Sequence, residues 1–280
     1  CVALAAATTS TTPATVLLLP GLACNATMLL PLQQGLCERG VAVICPSWVP
    51  VKASNVLENM AHNILHEHIL TLPAPHKRIV VVAHSMGFLV ACHLQDMVQQ
   101  GDLPVELVAC FCLEGNVFPE DCGLISRVGA QQGAELGCVQ VLRQTIGWES
   151  PCGSPAGACV DALWEEWLES AATPQLEGGG WTDADLFAQC CQEMVTLSDG
   201  EWPLQHLQGG WTAGAATVVL GENTEGVCWA EERVQQCSPC RVLRVQSRRE
   251  IAGDWYRHFC MIREPSTEML DAIVAGAEVP

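Results

Sequence analysis

Apolar runs punctuated by turn residues organise this chain. Thr15–Leu19 is a short apolar run closed by Pro20-Gly21, the pattern of a buried strand ending in a turn. Val41–Cys45, stopped by Pro46, predicts a second strand, and Ile79–Ala83 a third. Val105–Leu113, Ala215–Leu220 and Arg241–Val245 predict the fourth, fifth and sixth. Between them, Ser54–Leu70 has helical spacing, with Val56, Met60, Ile64 and Leu65 on one face. Phe88–Gln99 reads as a helix, as do Glu231–Gln236 and Ser266–Ala275. Strands that are continuously apolar, alternating with helices, imply a parallel sheet covered on both faces.

About a hundred residues between the fourth and fifth strands carry no convincing strand pattern. They contain amphipathic helix candidates at Leu124–Thr145, Ala158–Ala171 and Asp183–Leu197. Trp148, Trp164, Trp167, Trp181, Trp202 and Trp211 fall in or beside them, six of the nine tryptophans. Residues 114–201 hold fifteen Asp and Glu against only Arg127 and Arg143, whereas the flanking parts are near balance. The expected architecture is α/β: residues 1–117 and 212–280 form a core sheet flanked by helices, and residues 118–211 form a helical cap.

Composition narrows the partners. Hydrophobic residues make up 49% and charged residues 16%, which predicts a filled interior rather than disorder. A formal charge of −18 repels phosphate backbones and anionic lipid surfaces, so nucleic acid is not an expected partner. No apolar stretch reaches the roughly 18–20 residues that span a bilayer, so stable membrane insertion is not expected. The seventeen cysteines have no regular framework, and Cys45, Cys92, Cys110 and Cys112 sit inside apolar runs. They read as reduced core thiols of an intracellular protein. Cys237-Ser-Pro-Cys240 lacks a second pair at zinc-ribbon spacing and reads as a loop before a strand. The Ala- and Thr-rich opening, Cys1–Ala14, reads either as the remnant of a targeting segment or as a plain tail.

The chemistry concentrates at Ile79-Val-Val-Val-Ala-His-Ser-Met-Gly87. A strand running directly into a helix places Ser85 on a sharp turn, with small residues two before (Ala83) and two after (Gly87). Bulk at either position would collide as strand and helix close together. The first helical amides then face the serine oxygen, where an oxyanion forms. His84, adjacent to the serine, cannot easily align its ring with the hydroxyl and reads as a wall residue. Upstream, Pro20-Gly21-Leu22 ends the first strand, so that Leu22 and Met86 are the expected backbone oxyanion donors. Late in the chain, Arg257-His258-Phe259 falls between the sixth strand and the last helix, in an expected loop from which His258 reaches the serine.

Taken together, these segments resemble the α/β-hydrolase superfamily, in its branch with a helical cap. Pro20-Gly21, Ala83-His84-Ser85-Met86-Gly87, and His258-Phe259 with Met261 and Pro265 match its PG turn, nucleophile elbow and late histidine segment in order and spacing. Two positions depart from the family: Ala83 replaces a commoner glycine, and Arg257 stands where relatives often carry glycine. The resemblance also implies an acid after the fifth strand, where Thr224, which has no charge, stands in Gly221-Glu-Asn-Thr-Glu225. Two carboxylates are available instead. Glu225 serves if the loop shifts by one residue. Glu114 ends the fourth strand in Cys112-Leu-Glu-Gly-Asn-Val117, a place from which some relatives, certain haloalkane dehalogenases among them, take their acid. Glu114 is favoured, because a carboxylate at the end of a buried strand is costly without a partner or a task. Its bland reading is a helix cap or an ion pair with Arg127.

Other signals are weaker. His62 and His66 share a helix face but lack the Glu of a zinc-protease motif, so a solvated face is expected. Arg241, Arg244, Arg248 and Arg249 read as partners for the chain's many carboxylates. The cap tryptophans read as core, with one or two available to an acyl pocket. The resulting expectation is a serine hydrolase of small acyl substrates needing no cofactor or metal: Ser85 attacks, His258 is the base, and Glu114 or Glu225 orients it. The acidic cap favours neutral esters, thioesters or lactones, and a serine nucleophile argues against a dehalogenase. An acyltransferase or C–C hydrolase using the same triad remains open, as does a non-catalytic binder built on the same fold.

Overall fold

The computed structural model describes residues 14–46, 50–73, 77–101, 103–146, 155–173, 180–214, 216–221, 234, 236, 240–245 and 254–279. Six parallel strands form one sheet: β1 (Thr15–Leu19), β2 (Val43–Ile44), β3 (Arg78–His84), β4 (Glu106–Leu113), β5 (Thr217–Gly221) and β6 (Arg241–Val245). Their order is β2-β1-β3-β4-β5-β6. Every residue of β1 is buried, as are six of the seven in β3, because helices cover both faces. That burial is why these strands read as unbroken apolar runs.

Helices α1 (Leu30–Cys37), α2 (Val56–Ile64), α3 (Gly87–Gln100), α4 (Leu124–Leu136), α5 (Cys138–Ile146), α6 (Pro155–Ala172), α7 (Ala184–Ser198), α8 (Trp202–Gln208), α9 (Asp254–Arg263) and α10 (Thr267–Ala277) complete the described elements. The fold class is the expected one, a parallel sheet flanked by helices with a run of helices, α4–α8, between β4 and β5. Several boundaries differ. The expected Leu124–Thr145 helix is two helices, broken at Gly137, whose φ of 73° leaves the helical region. Ser54–Leu70 passes from α-helix into a wider turn at Leu65–Ile69. Val41–Cys45 pairs over only two residues. Helices α1 and α8 are additional to the expected elements. The opening residues 1–13, Trp148, the Thr224–Glu225 loop, Cys237, Arg248 and Arg249 lie outside the described residues, as does most of the expected Glu231–Gln236 helix.

Two features of the sheet position the site. The chain steps from β1 outward to β2, then crosses back to the other side of β1 for β3. Such a reversal opens a crevice beyond the carboxyl ends of β1 and β3. Register then levels those ends: Leu19 pairs with Ala83, His84 with Leu113, and Leu113 with Val219. No described helix is long and apolar enough to cross a membrane. Buried thiols such as Cys92, Cys110, Cys190 and Cys191 are pushed up in pKa by burial and serve as small core groups.

Helices α4 and α7 approach closely because Gly129 and Gly133 line their contact. A Cβ at Gly129 would lie 2.5 Å from Cys191 Sγ and 3.1 Å from Phe187. Gly129→Ala is therefore expected to destabilise the protein by about 1–3 kcal/mol. A urea or thermal melt checks this; an unchanged midpoint would mean the two helices are not so tightly joined.

Candidate active site

Beyond the ends of three neighbouring strands lie residues of the same unusual kind, directly after β3 and β4 and four residues after β1. Ala23 beyond β1, Ser85 beyond β3 and Glu114 beyond β4 have φ of 57°, 53° and 43°, the positive-φ non-glycine residues among those described. Each such conformation costs about 1–3 kcal/mol and persists only where its surroundings over-determine it. At Ser85 the determinants are visible. Its N–H donates to the Leu113 carbonyl (3.0 Å), and its own carbonyl accepts from Phe88 (3.0 Å), opening α3. Gly87 has no room for a side chain, since a Cβ there would lie 2.6 Å from the Leu19 carbonyl oxygen and 2.8 Å from that of Pro20. This is the steric demand expected at that position. Ser85 is half-buried, and its hydroxyl hydrogen-bonds to no described residue.

Glu114 extends the same logic to β4. Its N–H donates to Val219 O (3.0 Å), and its side chain, only 3% exposed, turns toward β5 and α9. One carboxylate oxygen accepts the Gly221 N–H at 2.9 Å, and the other lies 2.9 Å from His258 Nδ1. Arg127 goes elsewhere, to Asp199 at 3.6 Å and to the Pro119 carbonyl. Downstream, Asp121 Oδ2 accepts the N–H groups of Val117 (3.1 Å) and Phe118 (2.8 Å), tying the Glu114 turn to itself. Burial pushes the Asp121 carboxyl up to about 6, against those two hydrogen bonds. The Asn116 N–H reaches Ser85 O at 3.4 Å, linking this turn to the elbow.

His258 is not in a loop, as the sequence suggested, but within α9. Helix α9 packs against α1, β5 and the 3-10 turn Ala26–Leu29, so the histidine is held on a rigid element. With Nδ1–H donated to Glu114, its Nε2 carries the free lone pair. The ring is about one-third exposed. The structure joins Glu114 to His258, and no hydrogen bond is formed between Ser85 Oγ and His258. A cleft lined by Glu114, Gly115, Val117, Phe118, Leu220 and His258 opens on the acid side of the pair.

Neither the Leu22 N–H nor the Met86 N–H donates to an acceptor among the described residues. Both residues are buried, at the mouths of the β1 and β3 turns. Gly21 makes the approach possible: a Cβ on it would lie 3.1 Å from both Ser85 Cβ and the His84 ring.

His84 proves to be more than a wall. Its Nε2 lies 2.7 Å from the His258 carbonyl oxygen, its ring centroid is 4.5 Å from that of His258, and Nδ1 has no hydrogen-bond partner among the described residues. The Nε2–H donates to the carbonyl, tying α9 to the elbow. Adjacency to Ser85 was the available hint, but the partner lies 174 residues away. Of the other signals, His62 and His66 stack at 4.2 Å on an exposed helix face. Glu225 and Thr224 lie outside the described residues.

No family model matches the sequence, and no curated protein sequence matches it. Solved structures do match. A thermophilic esterase from Thermogutta terrifontis aligns over 94% of this chain and 88% of its own, at 17% identity and a TM-score of 0.57. The RedJ thioesterase of the prodiginine biosynthetic pathway in Streptomyces coelicolor aligns over 95% and 86%, at 15% identity and a TM-score of 0.54. A bromoperoxidase from Bacillus anthracis aligns over 96% and 93%, at 12% identity and a TM-score of 0.57. The chain has the α/β-hydrolase fold.

Burial, reinforced by the neighbouring His258, holds the His84 imidazole well below its usual pKa, so it stays neutral. The unfolded chain takes up that proton near pH 6.5, so below this value the unfolded state binds more protons and stability falls. His84→Gln keeps an amide donor where Nε2 stands but cannot titrate. Between pH 7.5 and 5.5 the variant should therefore gain about 1 kcal/mol relative to the parent. Urea unfolding at both pH values measures this, and a constant difference would contradict it.

Proposed function

We propose that this chain is a serine hydrolase of small, uncharged carboxylic esters or thioesters, with Ser85, His258 and Glu114 as its triad. The observation that carries the reading is a buried carboxylate bonded to an imidazole beside a serine held in a left-handed strand-to-helix turn. Esterases and a thioesterase among the solved structures of this fold support the reaction class.

Attack by Ser85 Oγ on the carbonyl carbon passes the hydroxyl proton to His258 Nε2. Glu114 keeps Nδ1–H in place and stabilises the imidazolium that forms. The oxyanion takes hydrogen bonds from the Leu22 and Met86 N–H groups, which have no competing acceptor to leave. Collapse breaks the bond to the leaving alcohol or thiol, which departs with the proton from Nε2. Water then attacks the acyl-serine, gives its proton to Nε2, and the acid is released as Ser85 regains its hydrogen. Catalysis in this scheme needs only side chains and backbone amides.

Helices α4–α7 serve as a cap over this site. Fifteen acidic residues against two arginines in residues 114–201 disfavour carboxylate- and phosphate-bearing substrates, so neutral acyl groups are the better match.

A fluorophosphonate probe tests the nucleophile. The wild-type protein should label, and Ser85→Ala and His258→Ala should lose both labelling and at least about a thousandfold in turnover of a p-nitrophenyl ester. An unreactive wild type would favour a non-catalytic binder instead. For the acid, Glu114→Gln should lower kcat at least about tenfold while Glu225→Gln stays near wild type. The reverse order would move the triad acid to Glu225.

A further inference from the structure

Two adjacent side chains of helix α6, Glu166 and Trp167, each touch the same two structures. The Trp167 indole N–H donates to the Leu22 carbonyl at 3.1 Å. Its ring packs edge-on against Phe259, the neighbour of His258, with centroids 4.8 Å apart. Glu166 forms an ion pair with Arg263 at the end of α9, at 2.9 Å. Its other oxygen lies 3.2 Å from the Thr27 hydroxyl, just past the β1 turn. Thus Trp167 and Glu166 each bridge from the turn that carries the Leu22 amide to the helix that carries His258.

The Leu22 turn needs such support. It lies outside the sheet ladder, Ala23 is strained at φ 57°, and the Cys24 N–H closes it on the Gly21 carbonyl at 3.2 Å. Besides Trp167, the Leu22 carbonyl receives, among the described residues, only the weak Cys24 S–H, at 3.4 Å. Trp167 is 4% exposed, so water cannot easily replace its N–H. A donor on that carbonyl fixes the Leu22–Ala23 peptide plane, and the Gly21–Leu22 plane that carries the Leu22 N–H is then free to turn only through the φ and ψ of Leu22.

We infer that α6 is a strap that sets the oxyanion turn and the base helix relative to each other, with Trp167 and Glu166 as positioning residues. The inserted helices then act on the stabilisation of the transition state as well as on substrate fit. This rests on the reading of Leu22 N–H as an oxyanion donor and His258 as the base.

Trp167→Phe keeps an aromatic ring against Phe259 and removes the indole donor. It should lower kcat on a p-nitrophenyl ester about tenfold with KM within about twofold. The affinity of a trifluoromethyl ketone, which mimics the tetrahedral adduct, should weaken in the same proportion as kcat/KM. Glu166→Ala should do likewise, Glu166→Gln should restore part of that loss, and the double variant should lose less than the product of the single effects. A rise in KM alone, or unchanged kcat and unchanged ketone affinity, would make α6 a mere wall and overturn the inference.

Hydrogen exchange supplies a readout independent of turnover. In Trp167→Phe, amides of residues 21–28 and 258–263 should both exchange faster while the sheet stays protected. Unchanged exchange in both segments refutes the strap. A wild type that neither labels nor hydrolyses refutes the catalytic reading, and the exchange result still decides whether α6 joins the two segments.

Discussion

Three parallel strands, β1, β3 and β4, stop at one level, and everything at the site follows from that. Ladder register puts Leu19 beside Ala83 and His84 beside Leu113, so the chain must leave the sheet three times within a few ångströms. Left-handed backbone recurs at these exits: directly after β3 at Ser85, directly after β4 at Glu114, and four residues beyond β1 at Ala23. Glycine would ease such turns, yet Ser85 and Glu114, the proposed nucleophile and acid, stand at two of these three positions. The strain is held by the bonds Ser85 N–H to Leu113 O and Glu114 N–H to Val219 O, which extend the ladder one residue past the strand ends.

The same geometry explains how a carboxylate tolerates burial. Removing Glu114 from water would cost several kcal/mol if it stood alone. Its two oxygens instead divide between the Gly221 amide and His258. One bond anchors the side chain to β5, and the other orients the imidazole. Removing either partner of such a pair typically costs about 3–5 kcal/mol, because the remaining group is stranded in a poorly solvated place. His258 gains rigidity from the opposite side, where His84 holds its carbonyl. The Ser85 turn, Glu114 and His258 are thus fastened to one another by hydrogen bonds that cross between strands and helix.

The helices between β4 and β5 are part of this fastening. Helix α8 joins α3 through the His206–Asp96 contact at 2.8 Å and the Trp202 indole N–H to Asp96 at 3.2 Å. The chain then rejoins the sheet, with the Thr212 and Ala213 N–H groups donating to Leu107 O and Val108 O. Several of the region's tryptophans are buried, as expected of core residues, but Trp167 and Trp202 also spend their indole N–H groups on specific acceptors. Aromatic rings with one polar edge suit this dual use. Some of the region's carboxylates are spent on specific partners too: Glu166 pairs with Arg263, and Asp121 accepts the Val117 and Phe118 amides.

What the sequence determined by itself was local in origin. Apolar runs marked the inner strands, because a strand covered on both faces must be apolar throughout; β1 coincides with its expected limits, and so does β6, though it is only partly buried. The small–His–Ser–Met–Gly pattern marked the elbow, since the collision at Gly87 is a property of the turn itself. A lone carboxylate ending an apolar strand marked Glu114, through the cost of burying it unpartnered. Tertiary structure decided the rest. Helix α9 replaced the expected loop at His258, and Gly137 broke a helix whose periodicity ran on unbroken. The bonds from His84 to His258 and from Trp167 to Leu22 join residues 174 and 145 positions apart. A periodicity or a motif records what neighbouring residues demand of each other. Which carbonyl a buried ring nitrogen meets depends on how whole elements pack, and that is settled only when the chain has closed upon itself.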